Sequence, residues 1–177
     1  MQQLTLQQRF LFDETAILAW AASVQRAKLY DSKIKPEDRN SFVFRAAVLQ
    51  YIEKILIPKY KSACTEADHI ANIESLVHYA TVAGKEILGD SGYKFGVAQK
   101  LLNLLLKYLW CLGHIAEPPH CPIDRIILNK TALKDRLNWT QIVTAKQYGS
   151  AIAAIQTVAS KQGLTLAQWE LKFYARR

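Results

Sequence analysis

The segment from residue 95 to residue 128, FGVAQKLLNLLLKYLWCLGHIAEPPHCPIDRIIL, places chemically reactive side chains in an otherwise apolar helix. Lys100, Asn103 and Lys107 interrupt a run of leucines, and Asp124 follows after a proline-rich loop. Lysine amines serve as nucleophiles, and carboxylates stabilise positive charge that develops during a reaction. The segment therefore carries the side chains for half of an active site.

The polar side chains of this helix share one narrow stripe. At 100° per residue, Lys100, Asn103 and Lys107 fall within about 60° of one another, and leucines cover nearly all the remaining surface. A helix that is apolar almost all round is buried, so the stripe faces either a strip of solvent or a cleft. Lysines that extend to the surface fit the first alternative. The asparagine between them favours the second, because its amide gains most from a fixed partner.

Glycines surround the start of the same helix, in the segment ILGDSGYKFG. Gly89, Gly92, Lys94 and Gly96 lie where unpaired helix amides and the helix dipole attract anions. We expect these residues to contact phosphate. The alternative is a flexible loop, with Gly89 ending the preceding helix.

The loop HIAEPPHCPID that follows the helix is stiffened by its prolines. Pro118, Pro119 and Pro122 fix their φ angles and suppress helix before Ile123. Asp124 then lies in the first turn of a short helix, where the positive helix end keeps a carboxylate ionised. Capping of that helix is the alternative role of Asp124.

The net charge of +8 is concentrated in the second half of the chain. Residues 1–88 carry 11 basic and 10 acidic side chains, whereas residues 89–177 carry 12 basic and 5 acidic ones. Such an excess favours a polyanionic partner, because bound lysines and arginines release counterions from phosphates. We expect the nucleic-acid contacts at Arg125, Lys130, Lys134 and Arg136. A basic protein with scattered, solvated lysines is the alternative.

The order of these parts resembles a known family. The sequence QKLLNLLLKY followed by PID is similar to the catalytic half of helix-hairpin-helix DNA glycosylases, nearest the archaeal 8-oxoguanine DNA glycosylases, over residues 89–128. The resemblance implies that Lys100 is the nucleophile and Asp124 the catalytic aspartate. It also implies that the three glycines lie near phosphate.

The expected function is therefore DNA binding, with glycosylase and abasic-site lyase activity as the chemistry that the resemblance implies. Lys100 would attack the sugar C1′ as a neutral amine, and Lys107 nearby would lower its pKa. Asn103 would hold one of the two lysines in place. The competing hypotheses are a non-catalytic helical module that binds nucleic acid or an acidic protein, and a regulatory protein whose exposed apolar helix face captures another helix.

Helical patterns extend over almost the whole sequence. They predict an all-α fold, one domain over residues 1–177, with six or seven helices around the central apolar helix at residues 94–112. Asp13 is predicted to cap the first helix, and Pro58 is expected to end the second. Thr65 with Asp68 and Thr165 with Gln168 predict two further helix starts, and Gly163 predicts a helix end.

Composition narrows the function classes further. Three cysteines, and an N-terminus without the pattern of a secretory signal, favour a cytoplasmic protein with reduced thiols. No membrane role is expected, because charged residues break the richest apolar segment. The spacing of His114, His120 and Cys121 matches no common zinc pattern, so neither a metal nor a cofactor is expected.

Overall fold

The helix predicted over residues 94–112 lies at the centre of the molecule. In the computed structural model it runs from Phe95 to Cys111, and 14 of its 17 residues are buried. Its buried apolar side chains belong to one hydrophobic core that takes residues from all seven α-helices of the described chain. Burial on nearly every side follows from its almost uniformly apolar surface.

The structure describes residues 5–38 and 40–174, and over these ranges it contains seven α-helices and no strand, which confirms the all-α prediction. The helices are α1 (Leu6–Val24), α2 (Ser41–Tyr51), α3 (Glu66–Ala83), α4 (Phe95–Cys111), α5 (Arg125–Leu128), α6 (Ala145–Ser160) and α7 (Leu166–Phe173). None of the described helices is both long and apolar enough to cross a membrane.

The central helix is covered mainly by α1 and α3, and at its N-terminal end by a 3₁₀ turn at Trp139–Gln141. Gly96 permits this last contact. A Cβ at this position would lie 2.0 Å from the carbonyl oxygen of Trp139, so only glycine lets the two backbones approach. The Gly96 amide also donates to the carbonyl of Ile142 at 2.8 Å.

Two predicted helix boundaries are wrong. Helix α1 begins after Thr5, whose hydroxyl accepts from the Gln8 amide in a complete capping box, and Asp13 lies inside the helix. Pro58 does not stop the second helical segment. After α2 the chain continues through a π turn at Ile52–Leu56 and a 3₁₀ turn at Ile57–Tyr60, which places the proline at the start of a turn where no amide is required.

The other capping predictions are confirmed at the helix starts. Thr65 accepts from the Asp68 amide and begins α3, and Thr165 accepts from the Gln168 amide and begins α7. The second box is incomplete, because the Gln168 side chain does not accept from the Thr165 amide, and its own amide group donates to Glu117. Gly163, with a φ of +64°, completes the turn after α6.

Candidate functional site

Lys100 is buried, with 9% of its surface exposed. Its ammonium lies over the indole of Trp139, 4.2 Å from the ring centroid, and forms no hydrogen bond or ion pair with any residue of the described ranges. Burial lowers the pKa of this amine, and the charges of Arg26 and Lys107 lower it further, while Asp124 opposes them. Lys100 is therefore an unpaired amine that is more easily deprotonated than an exposed lysine.

Asp124 is the N-cap of α5, as its alternative interpretation proposed. Its Oδ1 accepts a hydrogen bond of 3.0 Å from the Ile127 amide. The carboxylate is near enough to raise the pKa of Lys100, yet no ion pair joins the two among the described side chains. The structure thus brings Lys100 and Asp124 into one region without direct contact.

Lys107 lowers the pKa of Lys100, as expected, and also forms a contact that was not expected. Its ammonium forms a buried ion pair with Glu170 of α7, with 2.9 Å between Nζ and Oε1. The Tyr174 ring lies 4.4 Å from the same ammonium. The effect of Lys107 on the pKa of Lys100 is smaller than that of Arg26. Lys107 therefore attaches α7 to α4.

Asn103 holds neither lysine. Its amide nitrogen donates to the Tyr148 hydroxyl at 3.2 Å and to Gln99 at 3.4 Å. Its Oδ1 is buried and has no partner within the described chain. The expectation that Asn103 positions Lys100 or Lys107 is a misassignment, since its amide is directed toward α6.

Gln99, which the sequence did not single out, fixes the loop in front of Asp124. Its amide nitrogen donates to the carbonyls of Gly96 and Ile123, and its oxygen accepts from the Ile123 amide at 3.1 Å. Both backbone groups of Ile123 are thereby held against α4. This contact sets where α5 begins, and hence where Arg125 lies.

A buried network of two histidines and two tyrosines adjoins Asn103. Tyr60 bonds to His69 at 2.7 Å, and Tyr148 bonds to His120 at 2.9 Å and to His69 at 3.5 Å. Burial lowers the pKa of His69 to about 3 and that of His120 to about 4, so both imidazoles are neutral near pH 7. No set of three metal-ligating side chains is close enough together in residues 5–38 and 40–174 to hold a metal ion.

The glycine loop uses its amides inside the protein. The amides of Gly89, Gly92 and Gly96 donate to Leu29, Gly89 and Ile142 respectively. The Lys94 ammonium donates to the carbonyl of Ala27 at 3.3 Å. Lys94 and Gly96 thus link the start of α4 to neighbouring backbone, and none of the three glycine amides is left unbonded for a phosphate.

Four of the predicted nucleic-acid-binding residues lie together, around two adjoining cavities of about 290 and 670 Å³. We call these two cavities and their walls the basic cleft. Arg26, Arg125 and Asn129 line both, Arg136 and Trp139 line the smaller, and Lys130 and Lys134 line the larger. Arg26 was not predicted, because it follows α1 in the half of the chain where charges balance.

The basic cleft carries more positive than negative side chains. Its five basic residues are Arg26, Arg125, Lys130, Lys134 and Arg136, and Asp135 is the single acidic residue in its walls. None of the five forms an ion pair with a described carboxylate. Neighbouring like charges repel at short range unless an anion lies between them, so this arrangement favours an anionic ligand.

No protein-family model, curated protein or solved structure matches this chain.

Proposed function

We propose that this protein binds nucleic acid, with the sugar-phosphate backbone lying in the basic cleft. One observation carries the proposal: five basic side chains from two separate parts of the chain surround two adjoining cavities, and none of them pairs with a carboxylate that the structure describes. Arginines supply paired donors that match phosphate oxygens, and lysines add positive charge. An anionic polymer would offset their repulsion along the whole cleft.

The salt dependence of DNA affinity tests this proposal. Log affinity should fall linearly with log salt concentration, with a slope of about −0.9 per neutralised phosphate on duplex DNA and about −0.7 on a single strand. The triple replacement Lys130→Gln, Lys134→Gln and Arg136→Gln should weaken binding and flatten the slope. The matched control replaces Lys33, Lys54 and Lys85, which are exposed and line neither cavity.

An acidic protein partner is the competing ligand for the same cleft. Polyglutamate supplies that chemistry without phosphate or sugar. If polyglutamate displaces DNA at an equal concentration of charges, the cleft selects acidic polymers in general and the nucleic-acid proposal fails. Equal slopes for the cleft triple variant and the control triple variant would also contradict it.

A second candidate function is cleavage at abasic sites, with Lys100 as nucleophile and Asp124 as the stabilising carboxylate. Its support is the buried, unpaired Lys100 amine, whose pKa is lowered, in the neighbourhood of the Asp124 charge. In this reaction the neutral amine adds to the C1′ aldehyde of an abasic sugar, and loss of water gives a Schiff base. Trp139, which lies over the amine and lines the cleft, must move to admit the sugar.

Borohydride trapping tests this second candidate. Wild-type protein mixed with abasic DNA should give a covalent adduct that Lys100→Gln removes and Lys94→Gln retains. Asp124→Asn should slow adduct formation at equal DNA binding. Arg26→Gln should shift the optimum to higher pH, because loss of that positive charge raises the pKa of the amine. An adduct that persists in Lys100→Gln would assign the trapping to other lysines.

A further inference from the structure

An aromatic side chain of α7 forms part of the wall of the basic cleft. Phe173 is half-buried and lines the larger cavity beside Arg125 and Lys130. Two lysine ammonium groups flank its ring, Lys130 at 5.9 Å and Lys172 at 5.3 Å from the centroid. The cleft therefore combines positive charge with a flat apolar surface.

The Phe173 ring is held firmly in place. Trp169 packs against it with 5.5 Å between the ring centroids, and Trp169 itself is buried in the core. The ion pair between Lys107 and Glu170 attaches the same helix to α4. A ring packed against a buried neighbour loses little conformational freedom when a ligand stacks on it.

We propose that the basic cleft selects single-stranded nucleic acid and that an unpaired base stacks on Phe173 while the backbone follows the basic residues. This inference rests on the proposed nucleic-acid binding. Proteins that bind single strands combine a positive groove with aromatic stacking surfaces, because every base has a π face that stacks on an aromatic ring. In a duplex the base faces already stack on one another, so no base is free to stack on Phe173.

The larger cavity also suits a strand rather than a duplex. Its volume of about 670 Å³ lies in the range of sites that enclose small molecules. The base edges of a duplex lie in grooves about 12 and 6 Å wide, and contacts to them need an element that enters a groove. The cleft is concave, so a single strand fits inside it.

The test compares a short deoxythymidine oligonucleotide with duplex DNA of equal length. We expect tighter binding of the single strand. Phe173→Ala should weaken that binding by about 5- to 150-fold, the range for loss of one stacked base, and leave the salt slope unchanged. Phe173→Trp should keep the affinity. If Phe173→Ala impairs folding, Phe173→Leu replaces it in this test. Leucine retains most of the packing volume but has no π face, so the same loss of single-strand affinity is expected.

Phe42 provides a matched control. It is a phenylalanine with 69% of its surface exposed and with Arg45 over its ring at 5.2 Å, but it lies on α2 and lines neither cavity. Phe42→Ala should bind single-stranded DNA like the wild type. Equal losses in Phe42→Ala and Phe173→Ala would overturn the stacking role of Phe173.

A strand of tetrahydrofuran spacers, which keeps the phosphates and lacks the bases, separates stacking from charge. The wild type should bind it as weakly as Phe173→Ala binds the deoxythymidine strand, and Phe173→Ala should cause no further loss on it. Duplex binding as tight as single-strand binding would overturn the inference and leave the proposed function standing. Absence of salt-dependent binding to either form would overturn the proposed function itself.

Discussion

The polar stripe of α4 and the basic cleft hold their charges in opposite ways. In the stripe, Lys107 is paired with Glu170 inside the core, and Asn103 takes part in the tyrosine–histidine network. In the cleft, five basic side chains lie beside one another without an ion pair to the described chain. Charges that the fold neutralises serve its stability, whereas charges that it leaves unbalanced are available to a ligand.

Lys100 lies between these two arrangements. It belongs to the stripe and is buried like Lys107, yet it has no counterion among the described residues. The charge of Arg26, a residue of the cleft, lowers its pKa. Trp139 contacts its ammonium and lines the smaller cavity. Lys100 is thus a buried residue that contacts a wall residue of the cleft. This position is the basis of the second candidate function.

The largest effect should come from breaking the ion pair of the stripe. Glu170→Ala leaves the Lys107 ammonium buried without a counterion and should lower the free energy of unfolding by about 3–5 kcal/mol. The double variant Lys107→Met, Glu170→Leu should recover most of the loss, because neither charge is then buried. Urea denaturation measures both. The exposed pair of Arg9 with Asp13 is the control, and Asp13→Ala should cost about 0.5 kcal/mol or less.

Equal urea midpoints for Glu170→Ala and Asp13→Ala would show that Lys107 is tolerated in the interior without a counterion. The contrast between stripe and cleft would then not hold.

Acidification should destabilise the interior next. The pKa values of His69 and His120 are lowered to about 3 and about 4, against about 6.5 for an unfolded imidazole, so between these values the unfolded chain binds more protons. Stability is therefore full above about pH 6.5 and falls with pH, by up to about 1.4 kcal/mol per pH unit for each histidine. From pH 7 to pH 5 the two together contribute a loss of up to about 4 kcal/mol.

Denaturant midpoints at pH 7 and pH 5 measure this dependence. The double variant His69→Gln, His120→Gln should show a smaller difference between the two pH values than the wild type. His78→Gln, at an exposed position of α3, should leave the difference unchanged. A wild-type stability that does not change between the two pH values would contradict the neutral, buried state of the histidines.

Local signals made much of this fold predictable, and contacts distant in sequence account for what was missed. The apolar composition of α4 predicted its central position, and Thr65 and Thr165 predicted helix starts, because each signal lies within a few residues. The predicted start of α1 was wrong because Asp13 was taken as the N-cap. The capping box of Thr5 and Gln8, which is visible in the sequence, begins the helix instead.

The candidate site was predictable only in part, for the same reason. Arg125, Lys130, Lys134 and Arg136 lie within 12 residues of one another, so their proximity could be expected from the sequence. Arg26 lies about 100 residues away in sequence and joins them only in the folded structure, where it lines both cavities with Arg125. Lys107 and Glu170 are 63 residues apart, and no local pattern indicated that one would neutralise the other.

A medium effect on stability should come from Gln99, which joins the stripe to the cleft. Gln99→Leu removes its hydrogen bonds to Gly96 and Ile123 and leaves buried backbone groups without partners, at a cost of about 1–3 kcal/mol. DNA affinity should fall as well, because Arg125 follows the released loop. Gln156→Leu, at an exposed position of α6, should stay within about 0.5 kcal/mol of the wild type. Unchanged stability would show that packing alone holds the loop.

The smallest effect on stability should come from the cleft itself, and its sign distinguishes the two regions. Arg26 and Arg125 line both cavities and have no counterion in the described chain, so Arg26→Gln or Arg125→Gln breaks no ion pair and reduces the repulsion among the remaining cations. Each should leave the free energy of unfolding within about 0.5 kcal/mol of the wild type, and any change should be stabilising.

The same variants should weaken DNA binding and reduce the salt slope by about 0.7 to 0.9 each. Urea denaturation and salt titration on one preparation give both values. Loss of more than about 1 kcal/mol in either variant, with DNA affinity intact, would show that the arginines serve the fold, and the cleft would then resemble the stripe.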